Sequence, residues 1–170
     1  MTGLLQFSAL LLSAGAAWMD LQRAKVDNAW LVLWLTVSLA IRLHDTGPPG
    51  IYACFAGVFL PILLLFPFFY FRMLGAGDIK TLAALGSMMG PQTVLLCTFL
   101  SFLLGAGFSL FTFLMYGGFQ ERLSYFFSYV KTCYQTGQRV PYLQPGVRAE
   151  SLHMTIPIFL AVLLWAGGLY

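Results

Sequence analysis

Ile51-Tyr52-Ala53-Cys54-Phe55-Ala56-Gly57-Val58-Phe59-Leu60-Pro61-Ile62-Leu63-Leu64-Leu65-Phe66-Pro67-Phe68-Phe69-Tyr70-Phe71 runs for 21 residues without a charged side chain. At about 1.5 Å per helical residue, such a run spans the roughly 30 Å hydrocarbon core of a bilayer. It is apolar on every side, so it has no face to turn toward water. Pro61 and Pro67 are expected to kink it, which a helix bundle tolerates where neighbouring groups satisfy the freed carbonyls.

Working outward, five more apolar segments flank this one. They are Leu4–Met19, Ala29–Leu43, Ile79–Met89, Gln92–Tyr116 and Met154–Tyr170. The segment Ile79–Met89 is short for a full crossing, unless it extends toward Pro91 or lies tilted in a crowded bundle. The breaks between segments have local causes. Asp27-Asn28 offers N-cap oxygens to the second helix. Gly47-Pro48-Pro49-Gly50 reads as a tight turn that neither flanking helix enters. Gly90-Pro91 separates the fourth and fifth segments.

Composition agrees with that pattern. Of 170 residues, 59% are hydrophobic and 9% charged, and the mean hydropathy is +0.82. A soluble domain carries roughly a quarter charged residues. The expected architecture is an all-α polytopic membrane protein, residues 1–170 forming one membrane-embedded domain of six transmembrane helices.

Charge placement orients it. With the N-terminus outside, the inner loops hold Arg23, Lys25, Arg72, Lys80, Arg122, Lys131, Arg139 and Arg148, and the outer loops only Arg42. By the positive-inside rule both termini lie outside, and Asp20 and Asp78 face the cytoplasm. The long inner loop Gly117–His153 carries Leu123, Phe126, Phe127 and Val130 at helical spacing, which predicts an interfacial amphipathic helix. No basic n-region precedes the first segment, so it is read as a retained helix and not a cleaved signal.

Several chemistries are disfavoured. No basic cluster is dense enough to track nucleic-acid phosphates. Cys54, Cys97 and Cys133 are widely separated and form no C-x-x-C pair. His44 and His153 have no evident Ser or Cys partner, and the inner face supplies too few ligands for a metal site.

The two acids are the remaining candidates. Asp20 follows the small-residue stretch Ala14-Gly15-Ala16-Ala17, and Asp78 lies in Gly75-Ala76-Gly77-Asp78. Singly, Asp20 reads as a solvated helix end and Asp78 as an N-cap. Gly75 and Gly77 would let another backbone approach and permit unusual dihedrals. Together, two carboxyls at one membrane face suit water activation. One ionised group takes a proton from water while the other donates to a scissile carbonyl, the two titrating as a pair.

The stretch Asp20-Leu21-Gln22-Arg23-Ala24-Lys25-Val26-Asp27-Asn28 resembles the first motif of the type IV prepilin peptidases. Gly75-Ala76-Gly77-Asp78-Ile79-Lys80, followed by Leu82-Ala83-Ala84-Leu85-Gly86, resembles their G-x-G-D-x-K-leu motif. Ile156-Pro157-Ile158-Phe159-Leu160-Ala161 looks like their closing helix. The resemblance implies an intramembrane aspartyl protease of the plasma membrane with Asp20 and Asp78 catalytic, needing neither cofactor nor metal. Its substrates would be pilin or pseudopilin precursors, cut between a basic cytoplasmic leader and an apolar helix. Gly75, Gly77, Lys80 and Asn28, from the same two motifs, would shape the site or bind substrate. Asp27 stands where the family carries proline. The cysteine-bearing N-terminal segment of larger members has no counterpart in these residues, so the compact form without pilin methylation is expected.

Two readings from other classes compete: a catalytically silent membrane scaffold, and a small proton-coupled transporter. Intramembrane carboxylates also serve proton relays. A transporter would show repeated halves with broken helices, and no internal repeat is evident. A presenilin-type protease would carry a Tyr-Asp pair and a Pro-Ala-Leu motif, and neither occurs.

Overall fold

The computed structural model describes residues 3–23, 25–71, 73–116 and 154–169, together with 124, 127, 128, 131, 132, 134 and 135. Six helices are defined among them: α1 (Gly3–Arg23), α2 (Asn28–Thr46), α3 (Pro48–Tyr70), α4 (Ala76–Met89), α5 (Pro91–Tyr116) and α6 (Thr155–Ala166). Three segments, Gly3–Arg23, Pro48–Tyr70 and Pro91–Phe111, are long and apolar enough to cross a membrane, and α6 is a shorter apolar helix. The interfacial helix expected between Gly117 and His153 falls largely outside the described residues, as do Arg72, Cys133 and His153.

The short segment is the hub. α4 packs against each of the other five helices, and those five close a ring around it in the order α1, α2, α3, α5, α6 and back to α1. Every residue from Thr81 to Gly90 is buried. The sequence Thr81-Leu-Ala-Ala-Leu-Gly-Ser-Met-Met89 explains why, being apolar or small on all sides. A 14-residue helix is roughly 21 Å long, which falls short of a bilayer core. Protein, not lipid, surrounds it.

The tightest contact is between α3 and α4. A Cβ on Gly57 would overlap the Gly86 carbonyl, and one on Gly86 would overlap the Gly57 carbonyl. Only glycine at both positions allows the two backbones to touch. The second glycine of Gly86-x-x-x-Gly90 acts differently. With φ 84° it ends α4, and its N–H bonds the Gly86 carbonyl at 2.9 Å. Beside it, Ser38 donates to Ser87 Oγ at 2.6 Å, and Ser87 donates to the Ala84 carbonyl at 2.7 Å. These bonds satisfy the hydroxyls that α2 and α4 bury against each other.

Two local expectations change. Pro48 and Pro49 do not interrupt the chain between helices; they open α3, with Gly47 as its N-cap. The first turn of a helix has no intrahelical use for its N–H groups, so proline costs nothing there. Arg42 is not a loop charge. It lies within α2, where its Nε donates to the Ser87 carbonyl at 2.6 Å and one terminal nitrogen to the Met88 carbonyl at 2.9 Å. A cation thus caps the C-terminal carbonyls of the central helix, where the helix dipole favours it. Arg42→Ala is expected to destabilise the fold by about 2 kcal/mol, the scale for hydrogen bonds to a charged group. Thermal melting in detergent checks this; an unchanged midpoint would show that the cap contributes nothing.

Large apolar side chains also point away from the bundle. Phe55, Phe59 and Leu63 on α3, with Leu96, Phe99 and Leu103 on α5, are exposed. In water such a surface would drive association. Against acyl chains it is the expected covering of a spanning bundle.

Candidate active site

Asp20 occupies the last turn of α1. The buried stripe of that helix runs through Leu5, Ser8, Ala9, Leu12, Ser13, Ala16 and Ala17. Steps of three and four residues carry the same face on to Asp20, which is half-buried where its neighbours Leu21 to Arg23 are exposed. Asp78 lies at the opposite end of the central helix from Arg42, in the first turn of α4. It is not the N-cap; Gly75 is. Asp78 stands three residues further in, among N–H groups that have no intrahelical acceptor.

The two aspartates line one open cavity of about 480 Å³, shared with Lys25, Val26, Asp27, Asn28, Gly75, Ala76, Gly77 and Lys80. The first motif and the second, far apart in sequence, therefore form one site. All of Asp20, Asp78, Gly75, Gly77, Lys80 and Asn28 border it. A direct bond ties the motifs together, from Lys80 Nζ to Asn28 Oδ1 at 3.0 Å. Asp27 is the N-cap residue of α2 but makes no side-chain cap bond, contrary to the capping role its position suggests. His44 stands at the far end of α2, 3.3 Å from Asp45.

The motif glycines make no helix contact. A Cβ on Gly77 would meet nothing within 4 Å, and one on Gly75 would meet only the Asp78 carboxyl, at 3.1 Å. Gly75 has φ −72° and ψ 143°, an extended conformation open to any residue. Helix contact is carried by Gly57 and Gly86 instead. What Gly75 and Gly77 leave is space inside the cavity beside Asp78.

Sequence reasoning missed one contact. Thr155 Oγ1 donates to Asp20 Oδ2 at 2.7 Å. Thr155 immediately precedes the closing-helix stretch Ile156–Ala161. A threonine before an apolar run reads as an ordinary cap, so nothing local marks it. Among the described residues no three His, Cys, Asp or Glu side chains come together as a metal-binding group.

The model of one protein family, described as the type IV leader peptidase family, matches residues 5–110. That stretch carries both motifs. Comparison with curated proteins and with solved structures found no match.

Proposed function

The chain belongs to the type IV leader peptidase family, and on that premise we propose that it is an aspartyl-dyad endopeptidase that removes the leader of pilin-like precursors. The observation that carries the reading is the shared cavity: Asp20 and Asp78, from two separate motifs, border one open space.

The chemistry asks for two carboxyls and one water. The ionised carboxyl takes a proton from water as its oxygen attacks the scissile carbonyl carbon. The protonated carboxyl gives its proton to the carbonyl oxygen, leaving a neutral tetrahedral diol. The first carboxyl then returns its proton to the amide nitrogen as the C–N bond breaks. The second recovers a proton from one hydroxyl of the diol as that oxygen becomes the carbonyl of the new carboxyl group, so the pair ends as it began. No covalent enzyme intermediate forms, and both groups exchange roles as acid and base.

The surroundings support this use. The cavity is open, so a peptide segment can enter. The space beside Gly77 suits a substrate backbone lying against Asp78. In this reading six helices span the plasma membrane with both termini outside. The site faces the cytoplasm, where the basic leader of a precursor would lie. The excess of Lys and Arg on that side supports the orientation, and Arg42, the cation at the other end, is bonded to the closing carbonyls of α4.

The test is co-expression with a type IV pilin precursor, followed by mass spectrometry of the processed product. Cleavage between basic leader and apolar helix is expected. A precursor that inserts and stays intact, or is cut elsewhere, overturns the reading and favours a scaffold or a transporter. Gly77→Ala should separate site from fold. Alanine is no worse than glycine in the first turn of a helix, and its methyl meets no protein atom here. The variant should melt no lower than wild type while cleaving at least about fivefold more slowly, since the methyl enters substrate space. Unchanged cleavage would show that no substrate backbone approaches there.

A further inference from the structure

We propose that Thr155 is a positioning residue of this site: its hydroxyl holds the Asp20 carboxylate in the orientation from which it accepts the proton of the attacking water. The inference rests on the proteolytic reading of the cavity and adds to it a third side chain, from a helix that neither aspartate motif touches in sequence.

The bond is short, 2.7 Å from Thr155 Oγ1 to Asp20 Oδ2. That length is typical of a hydroxyl donating to a carboxylate. Thr155 is 1% exposed, so water does not compete for its hydroxyl. A buried hydroxyl needs a partner, and here the partner is the acid.

Apart from Ser38, which reaches Ser87 across α2 and α4, other hydroxyls of the bundle bond along their own helices. Thr81 donates to the Gly77 carbonyl, Thr98 to Val94 and Ser101 to Cys97, each one turn back along its own helix. That is the ordinary outlet for a helical Ser or Thr. Thr155 is the first residue of α6, so no preceding turn of that helix offers a carbonyl. Its hydroxyl reaches across to α1 instead. The β-branch restricts χ1 and keeps the oxygen aimed. The amino end of α6 adds a partial positive charge on the same side.

Stiffness is inherited from the packing. α6 lies along both α1 and α5, and its first turn buries Thr155, Pro157 and Ile158. Asp20, by contrast, sits in the last turn of α1, where a helix has least support of its own. A carboxylate there can turn about its side-chain bonds unless something holds it. Misorientation of a reacting group by a fraction of an ångström slows chemistry without altering substrate affinity. A hydroxyl that donates to Oδ2 also marks that oxygen as an acceptor. A donated hydrogen bond favours the ionised form of the carboxyl that receives it, which leaves the shared proton to Asp78 and makes Asp20 the proton acceptor of the first step.

The experiment uses the full chain in detergent or nanodiscs, a fluorescent type IV pilin precursor as probe, and four proteins: wild type, Asp20→Asn, Thr155→Val and Thr155→Ser. Valine keeps the shape and removes the hydroxyl; serine keeps the hydroxyl. Thr155→Val is expected to lower kcat about tenfold, the scale of one lost hydrogen bond, with KM within about twofold of wild type. Thr155→Ser is expected to recover at least half of the wild-type kcat. If Thr155→Val does not accumulate as folded protein, Thr155→Ala replaces it under the same criteria. A wild-type kcat in the hydroxyl-free variant overturns the inference. So does a rise in KM alone, or a serine variant as slow as valine. Asp20→Asn distinguishes the two levels: if it cleaves normally, the proteolytic reading itself fails. If it is inactive while Thr155→Val is normal, only the role of Thr155 fails.

Discussion

Asp78→Asn is expected to lower cleavage of a pilin precursor by at least about a thousandfold, within the range that a positioned acid–base group contributes. Asparagine keeps the size and one oxygen but cannot gain and lose a proton in each cycle. Asp20→Asn should do the same. The double variant should be no slower than the slower single one, because two groups that share one proton path act as a unit. The fold should survive. Asp78 is half-buried in the first turn of α4, so an amide of the same size costs at most a helix-dipole contribution of about 0.5 kcal/mol. Rates from quantified precursor and product, with melting curves for each variant, check this. A single variant that keeps more than one-tenth of the wild-type rate would remove that aspartate from the dyad.

The second large effect is steric. Gly86→Val is expected to cost more than about 3 kcal/mol, the upper end of overpacking, and to leave little folded protein. Its Cβ meets the Gly57 carbonyl and not the end of a flexible side chain. Backbone cannot swing aside as a rotamer can, so all of α3 would have to move away from α4. Gly57→Val should fail equally, because the clash is reciprocal. Gly107→Ala on α5 is the control, since a Cβ there meets nothing within 4 Å. Size-exclusion profiles and melting in detergent give the readout. A Gly86→Val protein that melts like wild type would show that the two helices do not meet at these glycines.

These two results probe different layers of the chain. The aspartates were legible because their surroundings are local: an acid at the end of an apolar run and an acid in a glycine-rich turn are visible within ten residues. The glycines next to Asp78 were read as room for another backbone, and the cavity does leave space beside them, but glycine type alone does not say where the helices touch each other. Gly75 and Gly77 border empty space, whereas Gly57, in the middle of an unbroken apolar run, carries the closest backbone contact. Arg42 did mislead. Counted as a loop charge, it marks the side of the membrane; in three dimensions it closes the end of α4.

Six apolar helices, their approximate ends and the two acidic motifs follow from the chain alone. Each depends on neighbours along one stretch of backbone, through solvation cost, helical period and proline or glycine stops. Which helix lies at the centre, which glycines touch, and which hydroxyl meets Asp20 depend on the fit of surfaces from segments far apart in sequence. α4 became the hub because it is short and small-sided enough for five others to close around it. That closure brings the first turn of α6 to the last turn of α1. No window of sequence contains both Asp20 and Thr155, so their contact exists only once the ring has formed.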